Sequence, residues 1–414
     1  MVASKKSRVV ITGLGIVSPI GIGKSIFWNN LIKGKDGIKN IESFDTTLYR
    51  THKGGEVGHF IPKKYIRRIR LPTYCRGTQF ALAASRLAVD DAGLDEQLLQ
   101  DSKDRVGVII GSATADAKMG EKSALFWHGA GYRNTPKNLG GSFNWLTVGI
   151  ANSIARELNI SGLSMSIPTA CPSGNHVIGY ALDLIRMGRL DIVLAGGTDP
   201  MNQLVFAGFN SLFVMDPQRC RPFDRERKGL VVSEGSGVVV LESLEHAKKR
   251  NTNIYAEVLG YGLSCEPYHD TGLHPSGLGM VRAVRMALHE AQISSNEIGY
   301  INAYGVGIPV HDKVETKAIK KVFGKRAKQI PVSSIKSMIG YTMGAASTIE
   351  AIACALVIKE GIIPPTINYK TPDPECDLDY VPNRARKQKV NTILSHSFGF
   401  GGNTTALLIG RFDN

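Results

Sequence analysis

The sequence lacks the cysteine pattern of a disulfide-stapled secreted protein and the long apolar runs of a membrane protein. Its six cysteines lie far apart along 414 residues, without a Cys-x-x-Cys pair, which argues against a disulfide framework. No apolar run reaches membrane-spanning length, and residues 1–6 lead into a β-prone run without an apolar signal region. These features predict a protein without a membrane span in a reducing cytoplasm.

Complete nucleotide and metal motifs are also missing. Residues 18–25 look like a phosphate-binding loop, but serine stands where that loop has its first glycine. Residues 13–15 lack the third glycine of a dinucleotide fingerprint. His269 and His274 have no partner at the close spacing typical of zinc ligands. The sequence therefore predicts neither a bound nucleotide nor a metal.

Acidic residues are few relative to basic ones. The chain has 50 Lys and Arg against 36 Asp and Glu, a net charge of +14, which suits an acidic partner such as nucleic acid, an anionic membrane or an acidic carrier protein. The clearest basic cluster lies at 63–70 and includes Lys63, Lys64, Arg67 and Arg68. It is either a docking surface or a solvated helix face. No nucleic-acid-binding motif accompanies it, so we expect no nucleic acid.

Short β-branched runs alternate with longer helical patterns throughout the chain. This alternation predicts a layered α/β architecture with buried sheets. The rhythm restarts near Ile254, so we predict two similar halves, residues 1–250 and 251–414. The segments that define the pattern are strands at 106–111, 163–167, 192–197, 256–260, 299–303 and 331–334, and helices at 148–158, 176–186, 314–322 and 345–359.

One cysteine stands where a strand pattern turns sharply into a helix pattern. Cys171 lies in the sequence Thr-Ala-Cys-Pro-Ser-Gly at 169–174. Free backbone N–H groups at the start of the following helix favour a thiolate over a thiol, and a thiolate is a nucleophile for acyl chemistry. A buried, unreactive cysteine is the alternative for an isolated Cys.

From Arg8 to Leu408 the chain resembles the β-ketoacyl-acyl-carrier-protein synthases, the condensing enzymes of fatty-acid and type II polyketide synthesis. The matching segments include the Cys171 turn, Ala-Gly-Gly-Thr-Asp at 195–199, Arg-Pro-Phe-Asp at 221–224, Lys-Ser-Met at 336–338, Pro-Pro-Thr-Ile-Asn-Tyr at 364–369 and Ser-Phe-Gly-Phe-Gly-Gly at 397–402. The resemblance implies a thiolase-like α/β fold, with two duplicated halves in a five-layered αβαβα arrangement and the site between them.

The resemblance also implies roles for particular residues. Cys171 becomes the acyl acceptor, and the backbone N–H groups of Cys171 and Phe400 form the oxyanion hole, with Phe400 also gating the pocket. Lys336 and Glu350 match a buried ionic pair, and Thr271 matches a contact to the pantetheine arm. The implied substrate carrier is the phosphopantetheine arm of acyl carrier protein, with no permanently bound cofactor, and the basic cluster becomes part of the surface that docks this carrier.

Two departures concern the catalytic set. Condensing members carry histidines where this chain has Tyr304 and Tyr341, and threonines where it has Val306 and Ile308. A phenol, with an ordinary pKa of about 10, donates a hydrogen bond but is no base of imidazole strength. Decarboxylation of malonyl carrier protein should therefore be slow or absent. His396 replaces a family asparagine, and its distance from the sulfur does not follow from the sequence.

Two functions remain open at this point. The chain is either an acyltransferase that loads an acyl chain on Cys171, or a non-catalytic subunit like the chain-length factors, which pair with an active ketosynthase and shape its pocket. Both imply a dimer, either a homodimer or a heterodimer with a homologous ketosynthase. Phe206, Phe209 and Phe213 are expected in the core rather than in the acyl pocket, because aromatics at helical spacing usually pack inside.

Overall fold

The computed structural model describes residues 7–69, 74–115, 117, 120 and 146–413. Its strands are β1 (Val9–Ser18), β2 (Gly21–Ile22), β3 (Lys39–Asn40), β4 (Lys53–Gly54), β5 (Val106–Gly111), β6 (Ser164–Ile167), β7 (Ile192–Asp199), β8 (Gly235–Ser243), β9 (Ala256–Cys265), β10 (Tyr300–Asn302), β11 (Val332–Ser333), β12 (Ile362–Ile363), β13 (Arg386–Lys387), β14 (Thr392–Phe398) and β15 (Asn403–Gly410).

The α-helices are α1 (Lys24–Ile32), α2 (Arg76–Ala92), α3 (Glu96–Asp101), α4 (Thr147–Leu158), α5 (Ser173–Arg186), α6 (Gln203–Ser211), α7 (Leu244–Lys249), α8 (Leu278–Ala291), α9 (Pro309–Phe323), α10 (Lys336–Ile339) and α11 (Ala346–Glu360). Short 3-10 helices span Pro62–Lys64, Lys103–Arg105, Ser295–Glu297, Gly324–Gln329, Met343–Ala345 and Phe400–Gly402. Among the described helices, none combines the length and the apolar composition needed to cross a membrane.

The central sheet repeats one strand order twice. The first half runs β1-β8-β7-β5-β6 and the second runs β9-β15-β14-β10-β11. In each half the first three strands pair antiparallel and the last three pair parallel. The halves join where β1 meets β9, with Val10 opposite Glu257 and Ile11 opposite Ala256. This repeated topology is the duplication that the rhythm of the sequence predicts.

Helices cover and separate the two halves of the sheet. Helices α2 and α4 pack on the first half, and α8 packs on the second with α9 beside it. Helices α5 and α11 contact strands of both halves and form the middle layer. The strands β1, β7, β8 and β14 are buried along most of their length, as expected for sheets covered on both faces.

Equivalent glycines allow a helix to lie directly on a strand in each half. A Cβ atom at Gly15 on β1 would approach the carbonyl oxygen of Ala84 on α2 to 1.8 Å. A Cβ atom at Gly262 on β9 would approach the carbonyl oxygen of Ala283 on α8 to 2.0 Å. Both glycines are therefore required by close packing, which explains the Gly-Leu-Gly run at 13–15 without a dinucleotide.

Most predicted elements are confirmed, and the differences have local causes. Strand 106–111 has the predicted limits, and helix α4 begins one residue before the predicted 148. Helix α9 begins five residues before the predicted 314, because Pro309 occupies the first helical turn, where its missing N–H costs nothing. The limits of the two predicted halves, 1–250 and 251–414, stay a prediction; α7 ends at Lys249 and β9 begins at Ala256.

Candidate active site

Cys171 lies in a tight turn between β6 and α5. Ala170 before it adopts a left-handed conformation with φ of 59°. The hydroxyl of Ser173 accepts a hydrogen bond of 3.0 Å from the N–H of Thr169, and the N–H of Ser173 donates to the carbonyl of Ala170 at 3.2 Å. This turn holds the cysteine at the start of α5, where only 5% of the residue is exposed.

The thiol of Cys171 is protonated at neutral pH. Burial raises its pKa to about 12, although a hydrogen bond from Tyr341 and the charge of Lys336 act in the opposite direction. Burial therefore opposes the thiolate that the helix start was predicted to favour. Desolvation of a fully buried sulfur outweighs the partial positive charge of the helix end.

Tyr304 and Tyr341 lie together beside the sulfur. Tyr304 follows β10 and Tyr341 follows α10, and both are at most 3% exposed. Their ring centroids are 6.0 Å apart at 86°, and the Tyr304 hydroxyl donates to the Tyr341 hydroxyl at 3.5 Å. The Tyr341 hydroxyl is in turn hydrogen-bonded to the Cys171 side chain. Burial raises the pKa of both phenols well above the ordinary value, so both are neutral hydrogen-bond donors.

Lys336 and Glu350 form the predicted buried ionic pair. Each side chain is 1% exposed, and the ammonium group donates to a carboxylate oxygen of Glu350. The same ammonium group lies 5.2 Å from the ring centroid of Tyr304, a cation–π contact. Burial raises the pKa of the Glu350 carboxyl to about 7. Lys336 thus contacts the site through the Tyr304 ring.

Asp312 and Glu315 hold the loop that carries Tyr304. Glu315 accepts hydrogen bonds from the N–H groups of Tyr304 at 2.7 Å and Gly305 at 2.8 Å. Asp312 accepts from the N–H of Gly307 at 3.1 Å, and burial raises its pKa to about 7. These carboxylates fix the backbone around the first tyrosine.

Two histidines lie behind the tyrosines. His396 has its Nδ1 atom 3.3 Å from a carboxylate oxygen of Glu315. His311, which sequence reasoning missed, lies with its ring 6.1 Å from Tyr304 and 5.6 Å from Phe398. Burial lowers the pKa of His311 to about 4, so it is neutral. Its position four residues before Glu315, on the same face of α9, is the signal that could have found it.

The turn at Phe400 lies directly against Cys171. A Cβ atom at Gly399 would lie 3.1 Å from the backbone nitrogen of Cys171 and 2.4 Å from Cδ of Pro172. Among the described residues, neither the N–H of Cys171 nor that of Phe400 donates to a backbone carbonyl. The two N–H groups expected to form the oxyanion hole thus belong to adjoining segments.

An apolar cavity of about 430 Å³ opens beside Cys171. Its lining consists of Ala113, Thr114, Ala170, Cys171, Val205, Gly208, Phe209, Ser211, Leu212, Met343 and Phe400. The prediction that the three phenylalanines are core residues is confirmed for Phe206 and for Phe209, which is 7% exposed, and is wrong for Phe213. Phe209 lines the cavity, with its ring 5.7 Å from that of Phe400, and Phe213 is 69% exposed, whereas Phe206 is a core residue with no exposure. Which ring faces the cavity depends on the packing of α6 and does not follow from the spacing of the phenylalanines in the sequence.

The basic cluster lies on the surface, on a 3-10 turn and the loop after it rather than on a helix face. Lys63, Lys64, Arg67 and Arg68 are exposed, and Arg70 lies outside the described residues. Glu157 accepts hydrogen bonds from the N–H groups of Arg67 at 2.8 Å and Arg68 at 2.9 Å. Their side chains pair with carboxylates, since Arg67 lies 3.7 Å from Asp90 and Arg68 lies 2.8 Å from Glu96.

Thr271 lies in a loop that touches the Phe400 turn. The carbonyl of Asp270, the residue before it, accepts a hydrogen bond of 2.7 Å from the N–H of Gly401. The Thr271 hydroxyl lies 3.4 Å from Nδ1 of His269. Within the described ranges, no group of three or more His, Cys, Asp or Glu side chains could hold a metal ion. Thr271, the residue predicted to contact the pantetheine arm, thus directly follows a residue that is hydrogen-bonded to the Phe400 turn.

Comparisons with known proteins define the class and then the family. The family model described as "Beta-ketoacyl synthase, N-terminal domain" matches residues 6–247, and "Beta-ketoacyl synthase, C-terminal domain" matches residues 255–370. The fold is the predicted thiolase-like ketosynthase fold. The chain belongs to the β-ketoacyl synthase family, whose members act in fatty-acid or polyketide synthesis.

Full-length relatives come from both branches of this family. The chain is 40% identical to the tetracenomycin polyketide synthase ketoacyl synthase alpha subunit of Streptomyces glaucescens, covering 99% of each chain. It is 38% identical to 3-oxoacyl-[acyl-carrier-protein] synthase 2 of Staphylococcus aureus, covering 99% of this chain and 100% of the relative. Among solved structures, the ishigamide ketosynthase/chain length factor has a TM-score of 0.94 and 38% identity, covering 99% of this chain and 100% of that chain.

Proposed function

We propose that this protein takes an acyl chain from acyl carrier protein onto Cys171 and that its ability to decarboxylate malonyl carrier protein is impaired. The observation that carries the proposal is the position of Cys171, in the lining of an apolar cavity and against the turn that carries Phe400. An apolar cavity suits an acyl chain, and paired N–H donors suit the charge that develops on a thioester oxygen.

The proposed step is a thioester exchange. The sulfur of Cys171 attacks the carbonyl carbon of the acyl-pantetheine thioester, the bond from that carbon to the pantetheine sulfur breaks, and the departing pantetheine sulfur takes the proton. Because the pKa of the Cys171 thiol is about 12, only a small fraction is thiolate at neutral pH, and this fraction attacks the thioester. The hydrogen bond from Tyr341 stabilises the negative charge on the sulfur during attack.

The two phenols limit the second half-reaction. Tyr304 and Tyr341 donate hydrogen bonds in a chain that ends at the sulfur. Their raised pKa values keep them protonated at neutral pH, and they donate a proton to an enolate far less readily than an imidazolium does. Acylation of Cys171 depends on the backbone N–H groups instead, so it survives the loss of imidazoles.

The substrate carrier in this proposal is the phosphopantetheine arm of acyl carrier protein, and no other cofactor is invoked. Lys63, Lys64, Arg67 and Arg68 would dock the acidic carrier, and Thr271 would contact its arm beside Phe400. A related solved structure, described as a type II acyl-carrier protein in complex with its ketosynthase bound to the hexaketide, supports this part, with 36% identity and a TM-score of 0.90. Six free cysteines support the proposed cytoplasmic location.

The second candidate function is a non-catalytic subunit of the chain-length-factor type. It is favoured by the burial that raises the pKa of the thiol and by two neutral phenols in place of imidazoles. The similar ishigamide protein is a ketosynthase/chain length factor, which supports a heterodimer with a homologous ketosynthase. A homodimer remains the alternative arrangement for the acyl-accepting enzyme.

The test is intact-mass spectrometry of the purified protein after incubation with acyl carrier protein carrying an acyl chain. We expect one acyl adduct that disappears in Cys171→Ala. The matched control is Cys265→Ala, because Cys265 is an exposed thiol that would capture acyl groups adventitiously. An adduct lost in Cys265→Ala, or no adduct at all, would refute the acyl-accepting function and favour the subunit function.

A further inference from the structure

We infer that Asp199 is a positioning residue that sets the chain-length selectivity of the cavity beside Cys171, because it holds Met343 in the cavity wall. The inference rests on the proposed acyl-accepting function and adds a residue that determines its specificity. Asp199 is the last residue of β7 and has no exposure. Its carboxylate is hydrogen-bonded to residues of the described cavity lining.

The carboxylate of Asp199 joins segments from the two halves of the chain. Its Oδ1 atom accepts hydrogen bonds from the N–H of Thr114 at 2.9 Å and from the hydroxyl of Ser112 at 2.7 Å. Its Oδ2 atom accepts from the N–H of Ala113 at 2.9 Å and from the N–H of Gly344 at 2.6 Å. The first three donors follow β5, and the fourth lies in a 3-10 turn of the second half.

Two glycines allow this turn to lie directly on β7. A Cβ atom at Gly197 would approach the carbonyl oxygen of Gly344 to 2.4 Å. A Cβ atom at Gly344 would lie 2.6 Å from the backbone nitrogen of Ala113 and 2.7 Å from Oδ2 of Asp199. Glycine at both positions therefore brings the turn within hydrogen-bonding distance of the carboxylate.

Met343 links the carboxylate to the cavity. It directly precedes Gly344, lines the cavity and is 1% exposed. Its backbone is left-handed, with φ of 52°. A residue with a side chain adopts this conformation at a cost in free energy and keeps it only where its surroundings hold it. Without the hydrogen bond from Gly344 to Asp199, Met343 should return to an ordinary conformation and withdraw its side chain from the wall.

The test is the ratio of two rates of adduct formation on the intact protein, with dodecanoyl-pantetheine and with butyryl-pantetheine. Asp199→Ala removes the carboxylate, and Met343→Ala removes the side chain that the carboxylate holds. We expect each variant to raise the dodecanoyl-to-butyryl ratio by about 4-fold or more, the effect of burying one further methylene. A folded Asp199→Ala protein with an unchanged or lower ratio would overturn the inference.

The double variant tests whether Asp199 acts through Met343. If it does, Asp199→Ala has nothing left to change once the Met343 side chain is gone. The protein with both substitutions should therefore show the same rate ratio as Met343→Ala alone. A ratio equal to the product of the two single effects would show that Asp199 acts by another route, and would contradict the inference.

Two further variants separate positioning from general loss of packing. Asp216→Ala is the matched control, because Asp216 is also a buried carboxylate that accepts a backbone N–H, that of Gln218 at 2.9 Å, and it lies outside the described lining. We expect it to lower the melting temperature and keep the wild-type ratio; a ratio raised as in Asp199→Ala would refute positioning.

Asp199→Asn has the shape of the wild-type side chain and keeps one oxygen that can accept from Gly344, although without the charge that strengthens this bond. Its rate ratio should lie between those of the wild type and Asp199→Ala. Should Asp199→Ala not fold, this variant carries the test, and a wild-type ratio in Asp199→Asn then overturns the inference.

A second measurement separates this inference from the proposed function. Equilibrium dialysis of the same two thioesters against Cys171→Ala, with and without Asp199→Ala, measures the selectivity of the cavity without acylation. We expect the ratio of the two affinities to shift toward dodecanoyl-pantetheine when Asp199 is replaced, and an unchanged ratio would count against the inference. If the wild-type protein forms no adduct while this affinity ratio still shifts, the acyl-accepting function fails and the role of Asp199 stands.

Discussion

At the residue scale, the described side chains beside the Cys171 nucleophile include two hydrogen-bond donors, the Tyr304 and Tyr341 hydroxyls, in place of the family's histidines. The chain of contacts runs from Tyr304 to Tyr341 and on to Cys171. Lys336 reaches it through the face of the Tyr304 ring. The sequence could predict that these residues meet, because each of them matches a position of the family's catalytic set. It could not predict the state of the thiol, which depends on burial by segments distant in sequence.

Removing one hydroxyl tests the hydrogen bond to the sulfur. We expect Tyr341→Phe to slow acylation of Cys171 by about 2- to 10-fold, because the thiolate that forms during attack loses a donor worth about 0.5–1.5 kcal/mol. The measurement is the rate of adduct formation from acyl-pantetheine. Tyr304→Phe is the matched control, since the Tyr304 hydroxyl reaches Tyr341 rather than the sulfur. Equal effects of the two changes would contradict the assignment.

The raised pKa of the thiol predicts how acylation depends on pH. Below a pKa of about 12, the thiolate fraction increases about 10-fold per pH unit. We therefore expect the rate with a small acyl-pantetheine to rise throughout pH 7–9 without a plateau. Stopped samples analysed by intact mass would give the profile. A plateau near pH 8.5, the region of an ordinary cysteine, would show that the buried thiol is not perturbed as described.

At the element scale, α6 forms one wall of the cavity. The sequence predicts helix-like spacing of phenylalanines there but not their orientation. Phe206 packs in the core, Phe209 faces the cavity and Phe213 lies outside under the Arg50 guanidinium, 4.8 Å from it. The orientation of each ring depends on which sheet and loop residues pack against α6. Those residues come from other parts of the chain, so the spacing of phenylalanines along the sequence does not predict the orientation.

Gly208 on α6 provides a test of cavity depth. A Cβ atom at this position would meet nothing within 4 Å, so Gly208→Leu should fold and project into the cavity. We expect this variant to form a butyryl adduct at the wild-type rate and a hexadecanoyl adduct at least about 10-fold more slowly, because overfilling a packed cavity costs about 1–3 kcal/mol. Gly208→Ala is the control for the change in helix propensity. Equal loss for both chain lengths would contradict a role in depth.

The loop between β10 and α9 shows a contact that sequence reasoning left open. His396, on β14, pairs with Glu315, 81 residues earlier in the chain. Glu315 at the same time holds the backbone of Tyr304 and Gly305. The strand and helix that carry these residues were predictable from their patterns. Their meeting was not, because it depends on how β14 and α9 pack.

At the scale of the whole molecule, residues from both halves line the cavity beside Cys171. The first half contributes Cys171, Val205 and Phe209, and the second contributes Met343 and Phe400. The repeated strand order was predictable in outline from the restart of the β/α rhythm near Ile254. The junction itself required the structure, because the pairing of β1 with β9 joins residues almost 250 positions apart.

Docking of the carrier is tested by reversing charge on the surface. We expect Lys63→Glu with Lys64→Glu to slow acylation from acyl carrier protein by about 10-fold or more at low salt, because opposite charge steers association. Acylation from acyl-pantetheine, which has no carrier protein, should not change. Lys325→Glu, at an exposed lysine in the second half, is the matched control. An equal effect of the control, or an effect on acyl-pantetheine, would contradict docking at 63–68.

Acylation without decarboxylation is tested most directly by following two products of one reaction mixture. The protein is first acylated on Cys171 and then given malonyl carrier protein labelled in its free carboxyl group, with adduct mass and released carbon dioxide measured together. We predict a Cys171-dependent acyl adduct and no carbon dioxide release above that of Cys171→Ala. Release of carbon dioxide with loss of the acyl adduct would show that the two tyrosines support condensation, and would contradict the proposed function.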